Sequence, residues 1–175
     1  MIRGIVVIAI AAAAAPGCVD STAGRNPEGG EVAVTRAAIE DADALARSWR
    51  WNRRVVLALG PERDLSRQAT LVGDDWAGWL DRDLELVLLT RDGGLVVERF
   101  VDGGPVGAAF DAGVETALEE RFGLEPVADR FQAVLVGKDG GVKHRWSAVV
   151  EPAEVFDLID AMPMRIREMR EDDER

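Results

Sequence analysis

The 175-residue chain has a single cysteine, a single histidine, no tyrosine, and lysine only at positions 138 and 143. One cysteine excludes an internal disulfide, a CxxC redox pair and every multi-cysteine zinc site. One histidine, His144, excludes a histidine-rich metal centre. Positive charge is scarce: 21 Lys and Arg stand against 32 Asp and Glu, a formal net charge of -11. That balance argues against nucleic acid as a partner, because phosphate-backbone binding needs clustered cations. No apolar run reaches the ~20 residues a spanning helix requires. Hydrophobic residues still make up 47% of the chain, too many for a wholly disordered protein. The length fits one compact domain plus a tail.

What is present begins at the N-terminus. Arg3 is the only charge before residues 4–15, which carry no polar side chain. A basic start, a short apolar core and a small-residue end are the pattern of a secretory signal. The segment closes Ala15-Pro16-Gly17-Cys18, and there it resembles the lipobox of bacterial lipoproteins. The resemblance implies that residues 1–17 are removed and that Cys18 takes a diacylglyceryl group. The partner of the mature N-terminus is then a lipid bilayer, and the location is the cell envelope, periplasm-facing or at the surface. The other reading is a plain secretory peptide cleaved near residues 13–15, which leaves Cys18 as a free thiol.

Residues 18–35 are rich in Gly, Ser, Thr and Pro and read as a lipidated N-terminus with a flexible tether. Residues 36–49 then carry Ile39, Ala42, Leu45, Ala46 and Trp49 at helical spacing. The uncharged run 55–59 suits a strand buried on both faces. Asp64 is placed to cap a helix with Leu65, Ala69, Val72, Trp76, Trp79 and Leu80 on its inner side, weakened by Gly73 and Gly78. A second strand at 84–90 turns through 91–94 into an antiparallel partner at 95–101, expected at the edge of the sheet. Asp111 opens a helix that Gly123 stops, with Leu124 packing back. A strand at 131–136, an Asp139-Gly140 turn and a return strand at 142–150 form a hairpin. Pro152 starts a helix that Pro163 ends or kinks. The domain therefore spans 36–163, and 164–175 reads as a charged C-terminal tail.

The order β-α-β-(β)-α-β-β-α predicts an α/β, thioredoxin-like three-layer sandwich: a mixed sheet flanked by helices, with an extra edge strand. The stretch FQAVLVGKDGGVKHR and the ending LIDAMPMRIREM carry a further likeness. With Trp51 and Arg54, Asp81-Arg82-Asp83-Leu84 and Arg121-Phe122-Gly123, they resemble a bacterial family of unknown function with a thioredoxin-like fold, over residues 49–169. Related domains occur in animal extracellular-matrix proteins of the sushi-repeat and coiled-coil-domain type. No activity comes with that resemblance. In active thioredoxins a CxxC pair follows the first strand, with one thiolate activated at a helix N-terminus. The corresponding place here is Gly60-Pro61-Glu62-Arg63-Asp64. The proline that active relatives keep before the third core strand maps to Arg130 or Phe131.

Candidate residues follow from that frame. Glu62 and Arg63 at the mouth, and Trp49 and Trp51 on one face of an extended segment, are the possible partner-binding residues. Each has a plainer reading, as exposed charge beside a cap or as cover for a core edge. His144 on an edge strand lacks the nucleophile and orienting acid that a general base works with. Asp74-Asp75, Asp81-Asp83-Glu85 and Glu171-Asp172-Asp173-Glu174 lack the spacing of a calcium loop and read as solvated charge. Neither a metal nor a cofactor is called for. The expectation is a non-catalytic domain that binds an envelope protein or a small ligand. A thiol chemistry on Cys18 and a purely structural role are the alternatives.

Overall fold

Residues 55–59 carry no polar side chain, so a strand there needs cover on both faces. A computed structural model describes residues 39–91, 93–101, 104–127 and 129–174. It places that run in the interior as β1 (Arg54–Leu59), where all six residues are buried. Cys18 and the expected signal and tether lie outside the described residues. The order is α1 (Ala42–Trp49), β1, α2 (Glu62–Asp74), α3 (Trp76–Asp81), β2 (Leu84–Thr90), β3 (Gly93–Val101), β4 (Gly104–Asp111), α4 (Ala112–Phe122), β5 (Gln132–Val136), β6 (Val142–Trp146), α5 (Pro152–Asp160) and α6 (Pro163–Asp173).

The sheet runs β4-β3-β2-β1-β5-β6. β1 is parallel to β2 and antiparallel to β5, and β6 returns antiparallel to β5. Alternation along β1 divides the core in two. Val55, Leu57 and Leu59 face Trp49 of α1 and Val114, Leu118 and Phe122 of α4. Val56 and Ala58 face Leu65, Ala69 and Val72 of α2, Trp79 of α3, and Val155 and Ile159 of α5. Helices on both faces of a mixed sheet give the three layers expected.

Several boundaries differ from the sequence reading, each for a local reason. α1 begins at Ala42, because Asp41 caps it by accepting from the Asp43 and Ala44 amides. Ile39 instead makes a parallel bridge to Phe110. Asp64 does not cap α2: the helix starts at Glu62 with Pro61 in the capping position. The expected long helix divides at Asp75 into α2 and α3, and the break turns Leu80, expected on the inner side, out to solvent. The extra edge strand is a hairpin, so residues 95–101 lie one strand in and β4 forms the edge. β6 ends at Trp146 rather than at 150. The segment read as a charged tail is helical through Asp173 and buries Arg165. The caps at Asp111 and Gly123 and the hairpin turn at Gly140 are as expected.

β4 was unread because GPVGAAFD looks like a loop. Its Gly107 explains the composition. A Cβ there would overlap the Val96 carbonyl oxygen, so only glycine lets β4 pair with β3.

Candidate functional site

The carboxyl end of β1, the start of α2 and the entry to β5 meet in one mouth. Gly60 lies so close to the incoming chain that a Cβ would come within 2.9 Å of the Phe131 α-carbon. Arg130 and Phe131 therefore stand opposite the residues that occupy the redox position of an active thioredoxin. Those residues are Pro61, Glu62, Arg63 and Asp64, and none carries sulfur.

Glu62 and Arg63 are both exposed at this mouth. Arg63 Nε donates to Asp64 Oδ1 at 3.0 Å and its Nη2 to Oδ2 at 3.1 Å. That fork-to-fork pairing holds the Asp64 carboxyl below the usual carboxylate range. The positive end of α2 faces two carboxylates in its own first turn, Glu62 and Asp64. The local field is thus balanced from within, and an anion gains little here.

Trp49 and Trp51 do not share a face. Trp49 is the last residue of α1 and is 4% exposed, in the core beside Phe122. Its indole N–H donates to Glu85 Oε1 at 2.6 Å. Burial pushes the Glu85 carboxyl up, against the opposing pull of the Trp49 N–H and Arg53. The chain then turns: Trp51 sits in the left-handed region at φ 67 and is 62% exposed. Its amide donates to the Lys138 carbonyl at 2.6 Å, which ties this turn to the β5–β6 hairpin. Arg50 stands over the Trp51 ring at 5.6 Å. Of the four partner-binding candidates, Trp51, Glu62 and Arg63 are accessible, and Trp49 is not.

His144 lies exposed on β6, its ring 4.7 Å from that of Trp146. Three of the acidic residues read as solvated charge are otherwise employed. Asp81 accepts from Arg165, Asp83 from Arg53 and Lys138, and Glu85 from Trp49. No group of three or more His, Cys, Asp or Glu side chains among the described residues is placed to hold a metal ion. No helix among them is long and apolar enough to cross a membrane.

At the pole opposite the mouth, sequence reading missed a charged constellation. Arg54, at the foot of β1, is 1% exposed; its Nη1 donates to the Arg82 carbonyl at 2.9 Å. Its Nη2 reaches both oxygens of Glu168, at 3.1 and 3.0 Å. Lys138 Nζ lies 2.8 Å from Glu168 Oε1 and 2.8 Å from Asp83 Oδ2. Arg82 pairs with Asp160 and lies over the Phe156 ring at 4.1 Å. The one available signal was Arg54 itself, a charge leading directly into a doubly buried strand.

The fold has solved counterparts. The chain is similar to thioredoxin peroxidase I of Plasmodium yoelii, at 15% identity over 69% of this chain and 79% of that one, with a TM-score of 0.50. It is also similar to the reduced 2-Cys peroxiredoxin of Plasmodium vivax, at 14% identity over 69% of this chain and 71% of that one, TM-score 0.47. At such identities the likeness is one of fold, and the architecture is thioredoxin-like. Residues 45–168 match the pattern described as Domain of unknown function (DUF4174), and the chain belongs to that family.

Proposed function

We propose that the chain is a redox-inactive thioredoxin-like domain of a secreted, lipid-anchored envelope protein, and that it binds another envelope protein or a small ligand. The observation that carries this reading is the mouth itself. Arg63 and Asp64 pair with each other where a reactive thiolate would stand, and the sole cysteine belongs to the N-terminal segment. Thiol–disulfide exchange and thiol peroxidase chemistry both need a thiolate nucleophile. Lipidation of Cys18 removes the last one. Trp51, Glu62 and Arg63 are the side chains on offer to a partner.

Two measurements test the proposal. The intact mass of the membrane-extracted protein is expected to carry a diacylglyceryl group that a Cys18→Ser version lacks. In-cell photo-crosslinking from positions 62 and 63, at the mouth, is expected to give one dominant adduct. An unmodified, free Cys18 overturns the anchor and restores the competing reading, a thiol-dependent oxidoreductase working through Cys18. The absence of any dominant adduct leaves a purely structural envelope component.

A further inference from the structure

The C-terminal helix is held to the body by charge. Among its residues only Arg165 is buried; Met164, Ile166 and Met169 are half-covered. Arg165 Nη1 donates to the Asp81 carbonyl at 2.9 Å, Nη2 meets the Asp81 carboxylate, and Nε lies 3.5 Å from Asp160 Oδ1. One turn on, Glu168 sits between Arg54 Nη2 and Lys138 Nζ, with Arg165 Nη1 at 4.0 Å. The cations holding it belong to the body, Arg54 to β1 and Lys138 to the β5–β6 turn, and beneath α6 they are 1% and 10% exposed. Arg54 is fixed by the Arg82 carbonyl and Lys138 by Asp83. Each cation thus has a second partner on the body besides Glu168, and that of Arg54 is a neutral acceptor. Such a buried guanidinium strongly favours a carboxylate partner.

We propose that Arg54 and Lys138 form a carboxylate socket, with Asp81 and Asp160 as a cation socket beside it, and that α6 fills both in cis. The C-terminal helix is then a displaceable strap, and its own residues spell the ligand class. That class is a helical peptide segment with Arg-x-x-Glu, the arginine meeting Asp81 and Asp160 and the glutamate meeting Arg54 and Lys138. Spacing i, i+3 puts the two side chains on one helix face. The site lies at the pole opposite Glu62 and Arg63, so it stands apart from the thiol question.

The test uses the full chain carrying Arg165→Gln and Glu168→Gln, which unlatches the strap, and a labelled synthetic peptide of residues 163–175. The unlatched protein is expected to bind this peptide. A peptide with Glu168→Gln is expected to bind at least ~10-fold more weakly, as loss of a charged hydrogen bond implies. The unaltered protein is expected to bind the native peptide more weakly than the unlatched one. No binding to the unlatched protein, or equal binding of the two peptides, overturns the proposal. Hydrogen exchange on the unaltered protein serves where the variant does not fold. Amides of α6 must then exchange faster than those of β1 and β5. Exchange of α6 in step with the sheet makes it part of the core and overturns the strap.

Discussion

Two glutamates show how position sets the sign of an electrostatic contribution. For Glu168, burial alone would raise the carboxyl, but the hydrogen bonds from Lys138 and Arg54 outweigh it and hold the group below its ordinary value of 4.5. Its stabilisation is therefore complete above that value and is lost as pH falls through the lower folded value. For Glu85 the balance is opposite. Burial raises it, and Glu98 on the neighbouring strand adds to the rise. The folded protein binds this proton more tightly than the unfolded chain, so the contribution of Glu85 to stability falls as pH rises through the raised value. Thermal melts between pH 7 and pH 3 are expected to separate the two. Glu168→Gln lowers stability at pH 7 by roughly 2–3 kcal/mol, less than the ~3–5 kcal/mol of a fully buried pair because Glu168 is partly open. The deficit shrinks as the medium becomes acid. Glu85→Gln is expected to be neutral or stabilising at pH 7, since the amide oxygen still accepts from Trp49. A Glu85→Gln protein less stable than the parent at pH 7 would contradict this account. Arg54 and Glu168 lie 114 residues apart in the chain, which is why local reading took the latter for solvated tail. The shared face expected of Trp49 and Trp51 is absent for another reason. The expectation assumed an extended segment, and the chain there leaves a helix and turns through a positive φ.

At the scale of elements, β1, β2, α4 and the β5–β6 hairpin were legible because each carries a local signal that packing reinforces. β1 has an uncharged run, α4 an Asp111 cap and a Gly123 stop, and the hairpin an Asp-Gly turn. β4 was not legible, because its residues are chosen by the approach of a neighbouring backbone rather than by strand propensity. Gly107→Ala tests that explanation. The added carbon would fall on the Val96 carbonyl, a backbone atom that has no rotamer to yield. The β3–β4 hairpin must then part, and a loss above about 2 kcal/mol is expected from denaturant unfolding, within the range of severe backbone and overpacking lesions. A change below ~0.5 kcal/mol would show that the edge hairpin yields freely. The glycines on either side of the α2–α3 break at Asp75 follow the same logic: Gly73 and Gly78 lie against Phe100 and Phe156, contacts from distant elements that a helical pattern does not foretell.

The whole molecule has two poles with different chemistry. One holds the mouth where β1, α2 and β5 converge, closed to anions by its own Arg63–Asp64 pair. The other gathers Arg54, Arg82, Lys138, Arg165 and their carboxylates under the C-terminal helix. The scaffold is that of thioredoxin-like proteins, and the proposal is that this chain carries out no thiol chemistry on it. Hydroperoxide consumption by the full-length protein with a dithiol reductant tests that claim most directly, run beside the Cys18→Ser version. Rates equal to the reductant-only background are expected for both proteins. A peroxide turnover that the full chain sustains and Cys18→Ser abolishes would contradict the proposal.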